Sequence, residues 1–325
     1  MEEEPLKADS IHSKAGGALM KYRRLGSTEL KVSVVGVGTW QFGGDWGKAF
    51  TQREVDEILD KAYELGINLL DTAECYGPHH RSETFIGDYL SRRGRDRWVL
   101  ATKFGHHWED KWQHDWSAAS VHRQLDESLK ALQTDYIDLY QFHSGDNDVF
   151  DNDELWTMLD KQVQEGKIRN LGISIGSNDN LHQTSKAKEL NAKAIQVVYN
   201  RLDKKPETRV FPSCIEQDLG VLARVPLASG FLSGKYKPGA VFEDNVRKNR
   251  DRTDMDAQLA EVETIAREEV PQGTDMATWA LAWCLKHPAV TTVIPGCKSP
   301  EQVEANAASA SLELVKDDHP QAWKA

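Results

Sequence analysis

The chain has 325 residues, of which 39% are hydrophobic and 28% are charged, and its net charge at pH 7 is −11. This composition is typical of a soluble globular protein, and no apolar run reaches the roughly 20 residues that a membrane-spanning helix needs. The negative charge repels phosphate backbones and anionic lipids, so the sequence argues against nucleic acid and membranes as partners and favours a small molecule.

The first 19 residues are polar and lack the apolar core of a signal peptide. We interpret residues 1–19 as a disordered leader or a cloning remnant, and residues 20–325 as a single domain. At the start of that domain, Tyr22–Leu25 and Leu30–Val32 flank four turn residues. This pattern predicts an N-terminal β-hairpin that closes the bottom of the fold.

Eight apolar or β-branched runs predict strands, and helical patterns separate them. The runs are Val34–Val37, Ile67–Leu70, Trp98–Ala101, Ile137–Phe142, Asn170–Ile173, Ala194–Val198, Gly220–Ala223 and Val290–Ile294. They are almost continuously apolar, as expected of strands that are covered on both faces. One helical pattern places four apolar residues on one face: Val121, Leu125, Leu129 and Leu132. Eight alternations of strand and helix predict an α/β fold, a (β/α)8 TIM barrel, rather than a doubly wound sheet.

Polar residues stand at or just beyond the ends of three neighbouring strands. These residues are Asp71, Lys103 and His143, and Tyr76 lies in the loop that follows Asp71. Because the carboxyl ends of parallel barrel strands meet at one mouth, we expect the four side chains to share a pocket. We predict that this pocket is a site of proton transfer.

The four residue types suit the protonation of a carbonyl oxygen. A phenol has a pKa of about 10, so Tyr76 needs a nearby cation to stabilise its anion, and Lys103 can supply that charge. Lys103 in turn needs a counter-ion in a partly dry pocket, which Asp71 can provide. His143 can donate a hydrogen bond to the same carbonyl oxygen.

Other kinds of site find less support in the sequence. Each of the four residues alone is more often structural, and only their combination indicates a proton-transfer site. The sequence lacks the motifs of a nucleophilic triad and of a metal centre. The four cysteines have no C-x-x-C spacing, so they predict free thiols in a reducing cytoplasm and no metal site. One loop carries His106, His107 and His114 among three tryptophans, and it either covers a substrate or simply packs.

Six runs together resemble the aldo-keto reductase superfamily over essentially the whole chain from Met20 onward. The runs are Val37–Trp40, Asp71–Gly77, Ala101–Lys103, Asp135–His143, Gly166–Ser174 and Val293–Asn306. The resemblance is closest to the bacterial branches related to the potassium-channel β subunits. It implies that Tyr76 is the general acid, that Lys103 and Asp71 tune it, and that His143 orients a carbonyl while a nicotinamide delivers hydride.

The same resemblance implies an NADP(H) site built without a Rossmann domain, which agrees with the absence of a G-x-G-x-x-G motif. The implied cofactor-binding residues are Gly38, Thr39, Trp40, Asp71, Ser174, Gln196, Arg224, Pro226, Leu227, Ser229, Leu232, Gly234, Lys235, Gly296, Lys298, Ser299, Gln302 and Asn306. Among them, Ser174 and Gln196 are assigned to the carboxamide, and Lys298, Ser299 and Gln302 to the 2′-phosphate.

Local physics supports the phosphate end independently. Ser299, Pro300 and Gln302 form the signature of a capped helix start, where free N–H groups attract an anion, and Lys298 adds a cation. Three departures from the family pattern concern the cofactor site, the first being Ile175, which follows Ser174 where many members have asparagine. Arg224 replaces an aromatic ring that often stacks on the nicotinamide, and Gln302 replaces an arginine, which lowers the predicted preference for NADP(H) over NAD(H).

The sequence therefore predicts a cytoplasmic, NADP(H)-dependent reductase that converts an aldehyde or ketone, including a sugar or aromatic carbonyl, to an alcohol. Four aromatic residues are predicted to line the substrate pocket: Trp40, Trp46, Phe104 and Trp108. Two alternatives stay open, a redox-sensing binding module of the channel β-subunit type and a Schiff-base aldolase that uses Lys103. A homo-oligomer is compatible with the sequence.

Overall fold

The computed structural model describes residues 20–108 and 112–324, so the predicted leader lies outside the described residues. Twelve strands are described: β1 (Tyr22–Arg24), β2 (Lys31–Ser33), β3 (Val37–Gly38), β4 (Leu69–Asp71), β5 (Val99–Phe104), β6 (His106–Trp108), β7 (Trp112–His114), β8 (Leu139–His143), β9 (Leu171–Ser174), β10 (Ala192–Val198), β11 (Gly220–Arg224) and β12 (Thr292–Val293). Eight of them form one parallel sheet in the order β12-β11-β10-β9-β8-β5-β4-β3. The predicted α/β architecture with eight parallel strands is confirmed.

The two ends of this sheet meet and close it into a barrel. Parallel bridges join Val35 to Val293 and Gly38 to Gly296, and Gly38 N donates a hydrogen bond to the Pro295 carbonyl oxygen at 3.0 Å. The backbones approach so closely here that a Cβ atom on Gly38 would lie 2.6 Å from the Ile294 carbonyl oxygen. A glycine is therefore required at this seam.

The outermost strands are shorter than predicted. The sequence predicted a first strand of four residues, Val34–Val37, and a last strand of five, Val290–Ile294. The corresponding strands β3 and β12 have two residues each. The flanking residues Val34, Val35 and Ile294 are buried, but across the seam they meet their neighbours through single bridges and isolated hydrogen bonds. Apolar patterning reports burial rather than pairing, which explains the difference.

Helices cover the outside of the sheet. They are α1 (Gln52–Glu64), α2 (Arg81–Arg93), α3 (Ala118–Ala131), α4 (Asn147–Phe150), α5 (Asp153–Gln164), α6 (Leu181–Ser185), α7 (Val210–Glu216), α8 (Arg252–Glu268), α9 (Met276–Leu285) and α10 (Pro300–Ala308). The predicted face of α3 is buried at Val121, Leu125 and Leu129. Within the described residues, no helix combines the length and apolar character needed to cross a membrane.

Two antiparallel hairpins lie outside the main sheet. In the first, β1 pairs with β2, and Leu25 and Val32 pack with residues such as Leu139 and Leu222 of the barrel strands. In the second, β6 pairs with β7 directly after β5, where the sequence indicated only a loop. The second hairpin therefore stands at the carboxyl ends of the strands, where the predicted polar residues gather.

Candidate active site

Lys103 is at the centre of a buried group of polar side chains at the carboxyl ends of the strands. Its Nζ donates hydrogen bonds to Asp71 Oδ1 at 2.6 Å, to the Thr72 carbonyl oxygen at 2.7 Å and to Tyr76 Oη at 3.2 Å. These bonds use all three N–H groups of the ammonium. Because Tyr76 Oη accepts a hydrogen bond from Lys103, its own proton is available to another acceptor.

Asp71 is held by more than its ion pair with Lys103. Its Oδ2 accepts hydrogen bonds from Gln196 Nε2 at 2.7 Å and from Gln141 Nε2 at 3.2 Å, and the two glutamines bond to each other. The four side chains come from β4, β5, β8 and β10, so the register of the sheet fixes their positions. Gln196, which the sequence analysis assigned to a cofactor carboxamide, lines the cavity and uses its Nε2 to hold Asp71.

Gln141 was missed in the sequence analysis, although a signal for it exists. Successive side chains of a strand point to opposite faces, so Gln141 and His143 share the face that looks into the barrel. A buried glutamine two residues before a site histidine needs a polar partner. The alternation along β8 could therefore have identified Gln141.

Burial and neighbouring charges shift the pKa values of Tyr76 and Lys103. Desolvation raises the pKa of Tyr76 above its ordinary value, and the Lys103 charge opposes this only in part. Burial lowers the pKa of Lys103, but the charge of Asp71 and the contact with Tyr76 outweigh it and raise that pKa. The sequence analysis expected Lys103 to make the phenol a stronger acid. Burial destabilises the phenolate and the Lys103 charge stabilises it, and burial is the larger effect, so Lys103 offsets the rise in the pKa of Tyr76 only in part.

His143 ends β8 beside this group. Its Nδ1 lies 3.8 Å from Cys75 Sγ, and its ring meets the ring of Tyr76 edge-on, with 6.3 Å between the centroids. The ring of His106 on β6 packs against it at 4.9 Å. Burial, followed by the charge of Lys103, holds the pKa of His143 well below its usual range. The imidazole is neutral at neutral pH and can donate one hydrogen bond.

A cavity of about 480 Å³ opens beside Tyr76 and His143. Most of the predicted cofactor residues line it, namely Gly38, Thr39, Trp40, Asp71, Gln196, Arg224, Pro226, Leu227, Ser229, Lys235, Gly296, Lys298, Gln302 and Asn306. Four others, Ser174, Leu232, Gly234 and Ser299, are not among the lining residues. Leu232 is fully buried in an apolar cluster, so its side chain is not offered to a ligand.

The aromatic residues predicted for the substrate pocket divide into two pairs. Trp40 and Trp46 line the cavity, and Trp40 stacks on Tyr76 with 6.0 Å between the ring centroids. Phe104 is fully buried and packs against Tyr140 in the core, so its assignment to the pocket was wrong. Trp108 is not a lining residue either, and its Nε1 donates a hydrogen bond at 2.7 Å to the carbonyl oxygen of Cys75, next to Tyr76.

The predicted phosphate end differs from expectation in its details. Helix α10 starts at Pro300 as predicted, but Ser299 makes no side-chain capping bond, and Gln302 Oε1 accepts from Lys298 N at 2.8 Å. The expected capping box is therefore not formed. Lys298 Nζ donates a hydrogen bond to the Trp46 carbonyl oxygen at 2.7 Å, so the lysine spans the cavity to another loop.

Arg247 is a further cavity residue that the sequence analysis missed. It forms an ion pair with Asp244 at 2.7 Å, donates to the Ser229 carbonyl oxygen at 3.3 Å, and faces the ring of Trp46. With Lys235 and Lys298, it places three cations around this end of the cavity. Arg247 lies in a polar loop without periodicity, so no local pattern distinguished it from the neighbouring basic residues.

Comparisons with known proteins identify the group to which this barrel belongs. A model of the aldo/keto reductase family matches residues 34–324. This chain belongs to the aldo/keto reductase family. It is 34% identical to the holo form of an aldo-keto reductase from Bacillus halodurans, with a TM-score of 0.77 over 93% of this chain and 94% of the other.

Two further relatives carry names that describe an activity. An NADH-specific methylglyoxal reductase from Escherichia coli is 31% identical, covering 92% of this chain and 96% of the relative. The structure of a glycerol dehydrogenase from Gluconobacter oxydans is 28% identical, with a TM-score of 0.77 over 89% of this chain and 90% of that chain. The oxidoreductase character of the family therefore extends to small carbonyl and hydroxyl compounds.

Aldo-keto reductases use nicotinamide cofactors, and the cavity of this aldo-keto reductase offers groups that fit one. Arg224 Nε is buried at the cavity wall and has no hydrogen-bond partner among the described residues. Arg224 Nη2 donates to the Ile175 carbonyl oxygen at 3.1 Å, which holds its guanidinium in place. A buried polar group without a partner loses free energy unless a ligand satisfies it, so Arg224 suits the polar edge of a nicotinamide. Ser174 Oγ is buried without a partner too, but Ser174 does not line the cavity.

Proposed function

We propose that this protein is an NADP(H)-dependent reductase that converts an aldehyde or ketone to an alcohol, with Tyr76 as the general acid. One observation carries the proposal: Lys103 Nζ lies 3.2 Å from Tyr76 Oη and is itself bound to Asp71 at 2.6 Å. This contact places a fixed positive charge where a phenolate would form.

Each residue of the site has a separate role in carbonyl reduction. A bound nicotinamide would supply hydride to the carbonyl carbon. Tyr76 Oη donates its proton to the carbonyl oxygen, and Lys103 stabilises the negative charge that this transfer leaves on Tyr76. His143, which is neutral, donates a hydrogen bond to the same oxygen and orients the carbonyl group. Asp71 keeps Lys103 charged and in place.

The preference for NADP(H) rests on the positive charge at the far end of the cavity. Lys235, Arg247 and Lys298 line that end, and an additional phosphate is attracted by such a cluster. Gln302 contributes no charge, and the relative from Escherichia coli is named as NADH-specific. Both cofactors therefore belong in the first assay.

The substrate proposal follows from the walls of the cavity. Trp40 and Trp46 meet edge-on with 5.3 Å between their centroids and present aromatic surface near Tyr76. Such surfaces stack on sugar faces and on aromatic aldehydes.

We infer that the β1–β2 hairpin covers the opposite, amino-terminal end of the barrel, since Leu25 and Val32 pack into the core of the barrel. Ligands would then enter only from the Tyr76 side.

The arrangement gives less support to the two alternatives. A Schiff-base aldolase needs an unprotonated lysine, whereas Lys103 donates three hydrogen bonds and its pKa is raised. A redox-sensing binding module would keep the same site but turn over slowly.

The buried free thiols of Cys75, Cys214, Cys284 and Cys297 fit the reducing cytoplasm proposed for the enzyme.

The experiment that tests the proposal is a screen of aldehydes, ketones and sugars, measured by the absorbance of NADPH and, in parallel, of NADH. We expect steady oxidation of NADPH with at least one carbonyl compound and loss of that activity in Tyr76→Phe. The matched control is Tyr63→Phe, a change on the exposed face of α1. No turnover with any compound, or a Tyr76→Phe enzyme as active as the control, would overturn the proposal.

A further inference from the structure

A second group of titratable side chains lies behind the catalytic loop, outside the cavity. Glu74 precedes Tyr76 by two residues, His80 stands immediately before α2, and Glu127 is on α3. One ligand atom from each of the three lies within 4.8 Å of the others. None of them lines the cavity of the active site. The proposed reduction makes no use of them.

The imidazole of His80 is oriented in the way that metal-binding histidines are. Its Nδ1 lies 2.7 Å from Glu83 Oε2, a carboxylate that also accepts from Thr102 Oγ1 and Ser128 Oγ. Because the carboxylate accepts, Nδ1 carries the proton, and Nε2 of the neutral ring has a lone pair. Metal-ligating histidines commonly donate their other N–H to a carboxylate, which fixes both tautomer and ring orientation.

Nε2 faces two further carboxylates at distances that leave room for an ion. It lies 3.8 Å from Glu74 Oε1 and 3.9 Å from Glu127 Oε2. These distances are too long for hydrogen bonds, so a proton on Nε2 would not bridge the groups well. Ligand atoms of a tetrahedral zinc site with bonds of about 2.1 Å are about 3.4 Å apart. A small contraction of the present arrangement would therefore place all three atoms around one cation.

Glu74 provides an independent sign that this group is a ligand site. Its side chain is 4% exposed, and its Oε2 is buried without any hydrogen-bond partner among the described residues. A buried carboxylate in this position is costly unless a positive charge compensates it. Arg123 does so only in part, because its Nε lies 3.7 Å from the other oxygen of Glu127 and its side chain is mostly exposed.

We propose that Glu74, His80 and Glu127 form a binding site for a divalent transition-metal cation of the zinc type. One imidazole nitrogen with two carboxylate oxygens is a donor set that suits such ions better than Mg²⁺, which prefers oxygen alone. Glu127 is about half exposed, which gives the ion a path from solvent. The bound cation connects the catalytic loop at Glu74 to the start of α2 and to α3, and so stabilises the loop that carries Tyr76.

The test is zinc binding by the full-length protein after dialysis against a chelator, followed by isothermal titration calorimetry with ZnCl₂. We expect one ion per chain, and a rise in Tm of about 4 °C at a free zinc concentration 100 times the dissociation constant. Glu127→Gln should weaken binding at least about tenfold, and Glu74→Gln and His80→Gln at least as much. Because Glu127 is on the surface of α3, its variant will fold even if the buried ones do not.

Two control variants separate this site from adventitious binding. His182→Gln removes an exposed histidine that pairs with Asp151, and Asp126→Asn removes an exposed carboxylate next to Glu127. Both should bind zinc as the wild type does. The proposal is wrong if the wild type binds no zinc up to millimolar concentration, or if Glu127→Gln binds like the wild type. It is equally wrong if His106→Gln abolishes binding while Glu127→Gln does not, since zinc would then sit among the cavity histidines.

Discussion

The two ends of the cavity are built in different ways. At the Tyr76 end, the polar side chains stand on barrel strands and hold one another through buried hydrogen bonds of 2.6 to 3.2 Å. At the Lys298 end, the cations stand on loops and just before a helix, and Lys298 and Arg247 bond to backbone carbonyl oxygens of other loops. The first end is fixed by the sheet, and the second depends on how separate loops meet. Substitutions at the Tyr76 end should therefore change kcat, and substitutions at the Lys298 end should change cofactor affinity.

The largest effect is expected at the strand end, from Tyr76→Phe. The change removes the proton donor and keeps the ring that stacks on Trp40, so kcat should fall by about 10²- to 10⁴-fold, the range of general acid catalysis, with cofactor affinity almost unchanged. Steady-state kinetics and fluorescence titration measure the two quantities. A variant with wild-type kcat would show that the proton comes from another group.

Lys103→Met should lower kcat by at least about 10²-fold, because the phenolate loses its stabilising charge. Unlike Tyr76→Phe, it should also lower the free energy of unfolding, by about 3 kcal/mol or more, since Asp71 is left buried without its ionic partner. Urea denaturation of both variants makes the comparison, with Lys130→Met on the surface of α3 as the control. Equal stability of Lys103→Met and the control would contradict the buried ion pair.

At the loop end, Lys298→Ala should change affinity rather than rate. If Lys298 contacts the 2′-phosphate, the variant should lose about 1.5 to 3 kcal/mol of NADPH binding and leave NADH binding nearly intact. Added salt should weaken NADPH binding more than NADH binding in the wild type. Fluorescence quenching yields both dissociation constants. Equal losses for the two cofactors would mean that Lys298 acts only through its bond to Trp46.

The smallest effect is expected from Ser299→Ala. A capping serine contributes about 1 kcal/mol to stability, but Ser299 makes no capping bond in the structure. The variant should lose less than half of that value. Ser117→Ala is the matched control, because Ser117 Oγ accepts a hydrogen bond from Ser120 N and caps α3. A larger loss for Ser299→Ala than for Ser117→Ala in urea denaturation would show that the predicted capping box forms after all.

The contrast between the two ends also explains which features could be predicted from the sequence. Asp71, Lys103 and His143 follow apolar runs, so strand patterning alone placed them at one mouth of the barrel. The contacts of Arg247 and Lys298 with Trp46 join segments about 200 residues or more apart in the chain, without any repeating pattern. Phe104 was misplaced because the alternation along β5 was not applied: Phe104 follows Lys103 directly, so its side chain points to the opposite face, where it packs against Tyr140.

The hydrogen bonds around Asp71 have a consequence for how specificity can change. All the side chains that hold this carboxylate stand on strands, whereas Trp40 and Trp46 lie in the loop after β3. Mutations of those tryptophans can reshape the proposed substrate wall without removing any of the side chains that hold Asp71. In a laboratory selection for new carbonyl substrates, libraries restricted to that loop should therefore retain the proton-transfer chemistry in most of their members.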